Sequence, residues 1–375
     1  MTTMRDVAAR ARVSAKTVSR VFNDDPHVLP ETRERVAQAL RELDYVPNPL
    51  ARDFRTGRAP VLAVAVPDLA DPFFAVIAKA VEQVAAHHDM SVVMSSIGYD
   101  PQRESGALES LLRQSLSGLI VAPTSPDQSH LSSWAARLPV VFVDRPPQGL
   151  AADAFTGDDH EGARIAVEHL ISHGHREIAF VGDSPRMSTT VSRLAGYESA
   201  LTRAGLAPRS ELIAFGASGP LEAERVVEQL SRSATPPTAL FSADARTSMM
   251  LVPSLAGSTW AVVGFGDFPM AHMLSPALTV IDQDPAAMGR QAAERVIERL
   301  AAPEGHVPRD MVAPVRLVER QSCIPGAHSS GLFPFSSPGR GTGGAHVRTA
   351  APGARPVDQP APQPSAGPAE QPTRP

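Results

Sequence analysis

The sequence predicts a small all-α helix-turn-helix domain followed by a larger α/β domain of parallel sheets folded into two lobes. Three observations predict it. Apolar residues recur at helical spacing through the first 43 positions. From residue 60, short β-branched runs alternate with helix-length amphipathic stretches. Near residue 325 both patterns stop, and a composition rich in Pro and Gly takes over.

The first helix is read from Met4, Val7, Ala8 and Ala11, which fall at i, i+3, i+4 and i+7. Thr3 stands at the N-cap position with Asp6 three residues on, a weaker form of the capping box. The chain then turns through Arg12, Val13 and Ser14, and Ser14 is placed to cap a second helix. On that helix Val18, Val21 and Phe22 face inward, while Ala15, Lys16, Ser19 and Arg20 face out. Two short helices across a three-residue turn, the second with a polar and basic outer face, describe a helix-turn-helix shaped for a major groove. A third helix is expected from Pro30 to about Leu43, with Val36, Leu40 and Leu43 as its buried stripe. A linker follows over residues 46–59, where prolines and a glycine bracket a segment, Leu50 to Arg55, too short to be a stable helix alone.

Beyond the linker, VLAVAVP (61–67) precedes an amphipathic helix from about Pro72 to His88, and SVVMSS (91–96) precedes one around residues 102–115. GLIVAP, PVVFVD, EIAFVG, TALFSA and TWAVVGF repeat the theme. Near-continuous β-branched runs separated by helices mean parallel strands covered on both faces. Such sheets bind ligands beyond the carboxyl ends of their strands, and the strand count suffices for two lobes with a cleft between them.

Composition narrows the function classes. At 375 residues and 43% apolar content the chain is long enough for two or three domains with a substantial core. Residues 1–59 hold eleven Lys/Arg against eight Asp/Glu, a surplus of +3, so the remainder carries −8 of the net −5. That split suits a small module facing phosphate and a larger body facing water. No apolar run approaches the roughly 20 residues a bilayer span needs. The helix-turn-helix is reached at once, leaving no room for a secretory signal, and a lone Cys323 cannot form an internal disulfide, so the expected location is the cytoplasm. Residues 326–375 contain ten Pro and eight Gly with almost no apolar pattern and are expected to be a disordered tail. Catalysis is not expected: there is no GxSxG, no GxxxxGK[ST] and no nucleophile context around Cys323. His169, His173 and His175 have partial metal-ligand spacing, but no Cys, Asp or Glu is seen to complete a zinc set, so solvent-facing histidines and no cofactor are expected.

The segments VSAKTVSRVFN and ETRERVAQALRELDYVPNPLARDFRTGR resemble the recognition helix, third helix and hinge of the lactose-repressor/galactose-repressor (LacI/GalR) family. The resemblance runs on through VPDLADPFF, GLIVAP, VVFVDRP, EGARIAVEHLISHGHREIAFVGD, RLAGYESAL, VVGFGDFP and LTVIDQDPAAMGRQAAERV, to about residue 323. It implies a DNA-binding domain over 1–45, a hinge over 46–59, and an effector-binding and dimerisation domain over 60–325 with a periplasmic-binding-protein-like fold. Its two lobes would be joined by three crossovers, near 156–159, 282–285 and 311–314. The implied protein is a ligand-responsive transcription regulator: a homodimer or tetramer on near-palindromic operator DNA, most simply a repressor of a carbohydrate or sugar-acid operon released by an inducer. A corepressor-dependent regulator uses the same parts with the opposite sign. A solute-binding protein is the alternative from another class.

Site residues follow from the resemblance. Ala15 and Lys16 match the positions that vary with operator sequence, Arg20 joins Lys16 as a base or phosphate reader, and Ala15 suits a thymine methyl. Ser14, Thr17, Ser19 and Asn23 are placed for phosphate oxygens. In the hinge, Asn48, Leu50, Ala51 and Phe54 are assigned to DNA, with Phe54 standing where the family has a leucine wedge for the minor groove; packing of Phe54 on the body is the alternative. The family's Ser or Thr N-cap of the third helix is here Leu29, a loss of about 0.5–2 kcal/mol. For the effector, Arg193 matches an arginine that forks onto ligand oxygens, Phe73 an apolar wall, and Asp144, Asp244, Asp267 and Gln283 polar cleft positions. Gly266-Asp267 replaces the family's two acids and Asp244-Ala245 its Asn-Asp, with Arg246 next; one lost acid and an Arg246 facing the cleft would favour an anionic ligand such as a sugar acid, and a surface position on the helix is the alternative for Arg246.

Overall fold

The computed structural model describes residues 4–22, 25–43, 61–302 and 307–323. Its N-terminal unit comprises α1 (Met4–Ala11), α2 (Ala15–Phe22) and α3 (Pro30–Glu42). Val7, Ala8 and Ala11 meet Val18 and Val21 of α2 and Val36 and Ala39 of α3 in one apolar cluster. Ala39 is the fully covered neighbour of Val36, while Leu40 and Leu43 are half-covered at the rim of the cluster. The α1–α2 turn closes through Arg12 at φ 54, with the Arg12 and Val13 amides donating to the Ala9 and Ala8 carbonyls. Those are the paired bonds of a Schellman ending. At α3 the expected defect is present: Leu29 is 69% exposed and supplies no side-chain cap. Thr3, the hinge at 46–59 and the tail at 326–375 lie outside the described residues.

The body is two lobes. The first runs β1 (Val61–Val66), α4 (Pro72–His87), β2 (Ser91–Ser96), α5 (Pro101–Leu112), β3 (Gly118–Val121), the single turn α6 (Ser132–Ala135), β4 (Val140–Val143) and β5 (Asp153–Gly157). The second runs α7 (Asp159–Ser172), β6 (Ile178–Gly182), α8 (Ser188–Arg203), β7 (Ile213–Phe215), α9 (Pro220–Ser231), β8 (Ala239–Ser242), α10 (Ala245–Ser254), β9 (Ala261–Phe265) and β10 (Thr279–Asp282). Helix α11 (Pro285–Ala301) returns to the first lobe, β11 (Asp310–Ala313) joins its sheet, and β12 (Arg316–Val318) ends in the second. Strand orders are β11-β5-β4-β3-β1-β2 and β12-β10-β9-β8-β6-β7. Both sheets are parallel apart from β12, which pairs antiparallel with β10. Only two residues separate β11 from β12, so the chain passes straight from one sheet to the other and meets β10 head-on.

Three crossovers therefore join the lobes, between β5 and α7, between β10 and α11, and between β11 and β12. The third falls at residues 314–315, slightly later than expected, because β11 keeps its pairing with β5 through Ala313. Each sheet is covered on both faces by apolar clusters, which is why its strands read as unbroken apolar runs. Helix α11 belongs to the first lobe because Met288, Ala292, Ala293 and Val296 pack with Phe74, Ile77 and Val81 of α4. The helices approach closely at Gly289, where a Cβ would stand 2.6 Å from the Ile77 carbonyl oxygen. Beneath α11, buried Asp153 accepts from Arg295 Nε at 2.8 Å, Arg299 Nη1 at 3.1 Å and the Arg309 amide at 3.0 Å. Among the described residues, no helix is long and apolar enough to cross a membrane.

Candidate functional site

Two groups of residues carry chemistry. On the helix-turn-helix, the Ser14 hydroxyl accepts from the Thr17 amide at 3.0 Å and lies 2.9 Å from the Thr17 hydroxyl. It caps α2 and satisfies one of that helix's free amides. Ala15 and Lys16 are exposed in the first turn, opposite the buried Val18 and Val21. Arg20 is half-exposed, and its Nε donates to Asp25 Oδ2 at 2.7 Å. Asp25 also takes the His27 amide at 2.9 Å. The Arg20 guanidinium, then the His27 amide, hold the Asp25 carboxyl well below the usual carboxylate range. Asp25 thus orients Arg20, a role that sequence reasoning missed because an acid in a polar loop looks like any other solvated acid. Asn23, Asn48, Leu50, Ala51, Phe54 and the side chain of Ser19 lie outside the described residues.

Between the lobes is a cleft with about 490 Å3 of empty space, part of it open to solvent. It lies where parallel strands end: Asp144 follows β4, Asp183 follows β6, Asp244 follows β8 and Gly266 follows β9. Phe73, Asp144, Arg193, Asp244, Arg246 and Gln283 all line it. Asp71, Tyr99, Arg145, Asp183 and the threonines 189 and 190 line it too and were not singled out from sequence. The signal for Asp71 was present: Asp-Pro ahead of an apolar helix is an N-cap followed by proline in the first turn, and its carboxylate accepts from the Phe73 amide at 2.9 Å. Asp183, Thr190 and Tyr99 sit in loops and on a helix face that only folding brings together.

The geometry of each group sets what it has left to offer. Arg193 is 5% exposed and stacks 3.9 Å from the centroid of Phe265. Its Nε donates to Asp159 at 2.8 Å, its Nη2 lies 2.7 Å from the same oxygen, and its Nη1 donates to the Ala243 carbonyl at 2.7 Å. Of five guanidinium N–H bonds, three are used and two remain. Burial opposes the Arg193 charge, but the Asp159 and Asp144 carboxylates more than offset it. Asp144 adopts φ 67, a left-handed backbone that an aspartate tolerates, and lies 3.2 Å from Arg145 Nη2. Asp244 caps α10 through the Thr247 amide at 2.7 Å and hydroxyl at 2.6 Å. Burial, then the neighbouring Asp183, raises its carboxyl. Burial likewise pushes Asp71 up to about 6. Arg246 lies over Tyr99 at 4.3 Å, facing the cleft rather than the outer surface. Gln283 is buried in the second crossover, and its amide nitrogen has no protein partner among the described residues.

Three expectations are corrected. Asp267 does not line the cleft: Arg320 clamps its carboxylate at 2.6 and 3.1 Å, so it serves as a structural ion pair. The preference for an anionic ligand is not carried, because four aspartates line the cleft against three arginines, and Arg193 is already matched by Asp159. The missing acid beside Asp267 is explained by the backbone, since Gly266 has φ +87 and a Cβ there would stand 3.2 Å from Ala245 Cβ. Finally, His169 and His173 do have neighbours that complete a ligand set, Glu319 and Cys323, brought in from the chain's last described segment.

Comparison with known proteins agrees with this arrangement. The bacterial regulatory proteins, lacI family, match residues 3–48, and the periplasmic binding protein-like domain matches residues 167–323. The NTD biosynthesis operon regulator NtdR of Bacillus subtilis (strain 168) is 30% identical over 329 residues, covering 86% of this chain and all of that protein. The HTH-type transcriptional regulator GalS of Salmonella typhimurium (strain LT2) is 32% identical over 308 residues, covering 80% of this chain and 91% of that one. Among solved structures, the Lac repressor dimer bound to operator and the anti-inducer ONPF superposes with a TM-score of 0.75 at 28% identity, covering 86% of this chain and 99% of that one. These relatives regulate transcription and are not enzymes. With a helix-turn-helix, two lobes joined by three crossovers and a polar cleft between them, the chain belongs to the LacI family, as a DNA-binding transcriptional regulator that responds to a small-molecule effector.

Proposed function

We propose that this regulator represses a carbohydrate-use operon as a cytoplasmic homodimer and leaves its operator when a neutral, polyhydroxylated effector fills the cleft. The observation that carries this reading is the cleft's lining: carboxylates from both lobes, arginines beside them and the aromatic faces of Phe73 and Tyr99 surround an unpartnered Gln283 amide at a crossover. Carboxylates accept from hydroxyl groups, guanidinium and amide N–H donate to them, and apolar ring faces suit the C–H faces of a sugar. A related structure, the regulator CelR, is a complex with cellobiose and superposes at a TM-score of 0.62 and 28% identity.

In this mechanism Phe73, Asp144, Arg193, Asp244, Arg246 and Gln283 bind the effector with Asp71 and Asp183. Ala15, Lys16 and Arg20 read the operator, while Ser14, Thr17, Ser19 and Asn23 fix register. Asn48, Leu50, Ala51 and Phe54 of the hinge enter the minor groove. An effector that touches both lobes prefers one lobe arrangement, and release follows only from that difference in affinity. Exposed Val76 on α4 and Met94 on β2 offer the first lobe an apolar contact with a second copy. The test is a mobility shift with DNA from the regulator's own upstream region, run with and without ribose, galactose, cellobiose and glucuronate. A neutral sugar should release the DNA. Tighter binding with sugar would reverse the sign to corepression, and failure to shift any DNA would overturn the reading.

A further inference from the structure

Helix α7 starts at the first crossover and ends at Ser172, beside the segment that follows β12. His169 and His173 are one helical turn apart near its end, with ring centroids 4.7 Å from each other. The opposite wall is Glu319 to Cys323, and this segment is held firmly. The Ser322 carbonyl accepts from the Val262 amide at 2.7 Å, and the Ser322 hydroxyl accepts from the Thr279 amide at 2.8 Å. The result is that one ligand atom from each of His169, His173, Glu319 and Cys323 lies within 4.8 Å of all the others. His173 Nε2 and Glu319 Oε1 are 4.0 Å apart.

We infer that these four side chains form a site for a thiophilic divalent transition metal, of which zinc is the best match, bracing the second lobe at the segments that leave its first and third crossovers. The donor set is two imidazoles, one thiolate and one carboxylate, which zinc accepts in tetrahedral geometry. Two histidines at i and i+4 on a helix are suitable partners for one ion. Zinc–ligand bonds of about 2.0–2.3 Å put tetrahedral ligand atoms about 3.3–3.8 Å apart. A contraction of about 1 Å is therefore needed from the present spacing, and the half-exposed His173 and exposed Glu319 are free to supply it by side-chain rotation.

Three further features fit. His169 Nε2 is buried with no protein partner among the described residues, which is a cost that a bound ion removes. Cys323 is fully buried, and the hydrogen-bond contacts of its sulfur among the described residues are to the Thr279 hydroxyl at 3.6 Å and the Arg320 carbonyl at 3.8 Å. Both are loose sulfur contacts that leave it available. A dication with one thiolate and one carboxylate is electrically neutral, which suits a half-buried position. A zinc-bound cysteine is a thiolate, so binding releases the Cys323 thiol proton to solvent. The Glu319 side chain is exposed at the rim of the cluster. His175, the third histidine of the run, takes no part: its Nδ1 lies 3.0 Å from the Thr238 hydroxyl.

The site is independent of the cleft, so its test does not touch the effector reading. The full-length chain, stripped with chelator, is titrated with Zn2+ by calorimetry and with Co2+ by absorbance. The expected result is one ion per chain, with tetrahedral Co2+ bands and a thiolate-to-cobalt charge-transfer band. Loss of an outer-sphere partner alone typically weakens metal affinity by 10–100-fold, so His173→Ala should weaken it at least about 100-fold. Cys323→Ser should abolish the charge-transfer band. Glu319→Gln, an exposed change that leaves the fold alone, should weaken binding while keeping that band. Bound Zn2+ should raise the melting temperature of wild type and not of His173→Ala. Absence of saturable one-to-one binding, or equal affinity in wild type, His173→Ala and Glu319→Gln, would overturn the proposal.

Discussion

Replacing Gln283 with Met separates a binding residue from a packing residue, because the two roles give effects of opposite sign. Gln283 is 4% exposed, with its amide nitrogen unpaired among the described residues, and it packs against the first crossover so closely that a Cβ on Gly157 would stand 3.0 Å from that nitrogen. Methionine has nearly the same volume and no polar group. In the effector-free protein, Gln283→Met removes a buried donor that costs about 1–3 kcal/mol to leave unsatisfied. The variant should therefore be more stable, by about 2–4 °C in melting temperature for each kcal/mol regained. In the complex the same change strands an effector oxygen, so affinity should fall by about 5- to 150-fold. The assay is differential scanning calorimetry of the free protein paired with titration calorimetry against the sugar that releases operator DNA. A lower melting temperature with unchanged affinity would refute the reasoning and make Gln283 a packing residue.

The remaining predictions concern charge. Asp71 has a folded-state carboxyl raised to about 6 by burial, so the folded chain holds a proton that the unfolded chain has lost between about pH 4 and pH 6. Stability from this group is greatest at low pH and is lost as pH rises through that window, at up to about 1.4 kcal/mol per pH unit. Asp71→Asn keeps the N-cap and should lack this decline, as urea titrations from pH 4 to pH 7 would record; parallel curves for both proteins would refute it. Asp153→Ala removes the buried carboxylate shared by Arg295 and Arg299, leaving Arg295 only the half-exposed Glu298 at 3.0 Å, and should destabilise the first lobe by up to about 3–5 kcal/mol, with effector affinity per folded molecule unchanged. Lys16→Ala should cost about 1–3 kcal/mol on the cognate operator and relax preference at one symmetric pair of positions. Equal weakening on all DNA sequences, with a shallower salt dependence, would mean that Lys16 touches only phosphate.

What the sequence determined by itself was local and periodic. Helical spacing identified Val7, Ala8, Ala11 and Val18 as one small core, and β-branched runs identified sheets covered on both faces. These signals survive in one dimension because burial imposes the period of the element on the apolar residues. Family resemblance added positions such as Phe73, Arg193 and Gln283, which the fold does bring to one cleft. Tertiary structure decided what each polar group has left to give. An arginine and an aspartate 34 positions apart, Arg193 and Asp159, neutralise one another, whereas Asp267 is withdrawn from the cleft by Arg320, 53 positions later. Arg320 and Cys323 belong to one short segment that the third crossover carries back to the second lobe. Its approach to the end of α7 turns two ordinary helix histidines into half of a four-ligand cluster. Charge pairing and ligand convergence depend on distances across the fold, and spacing along the chain does not encode them.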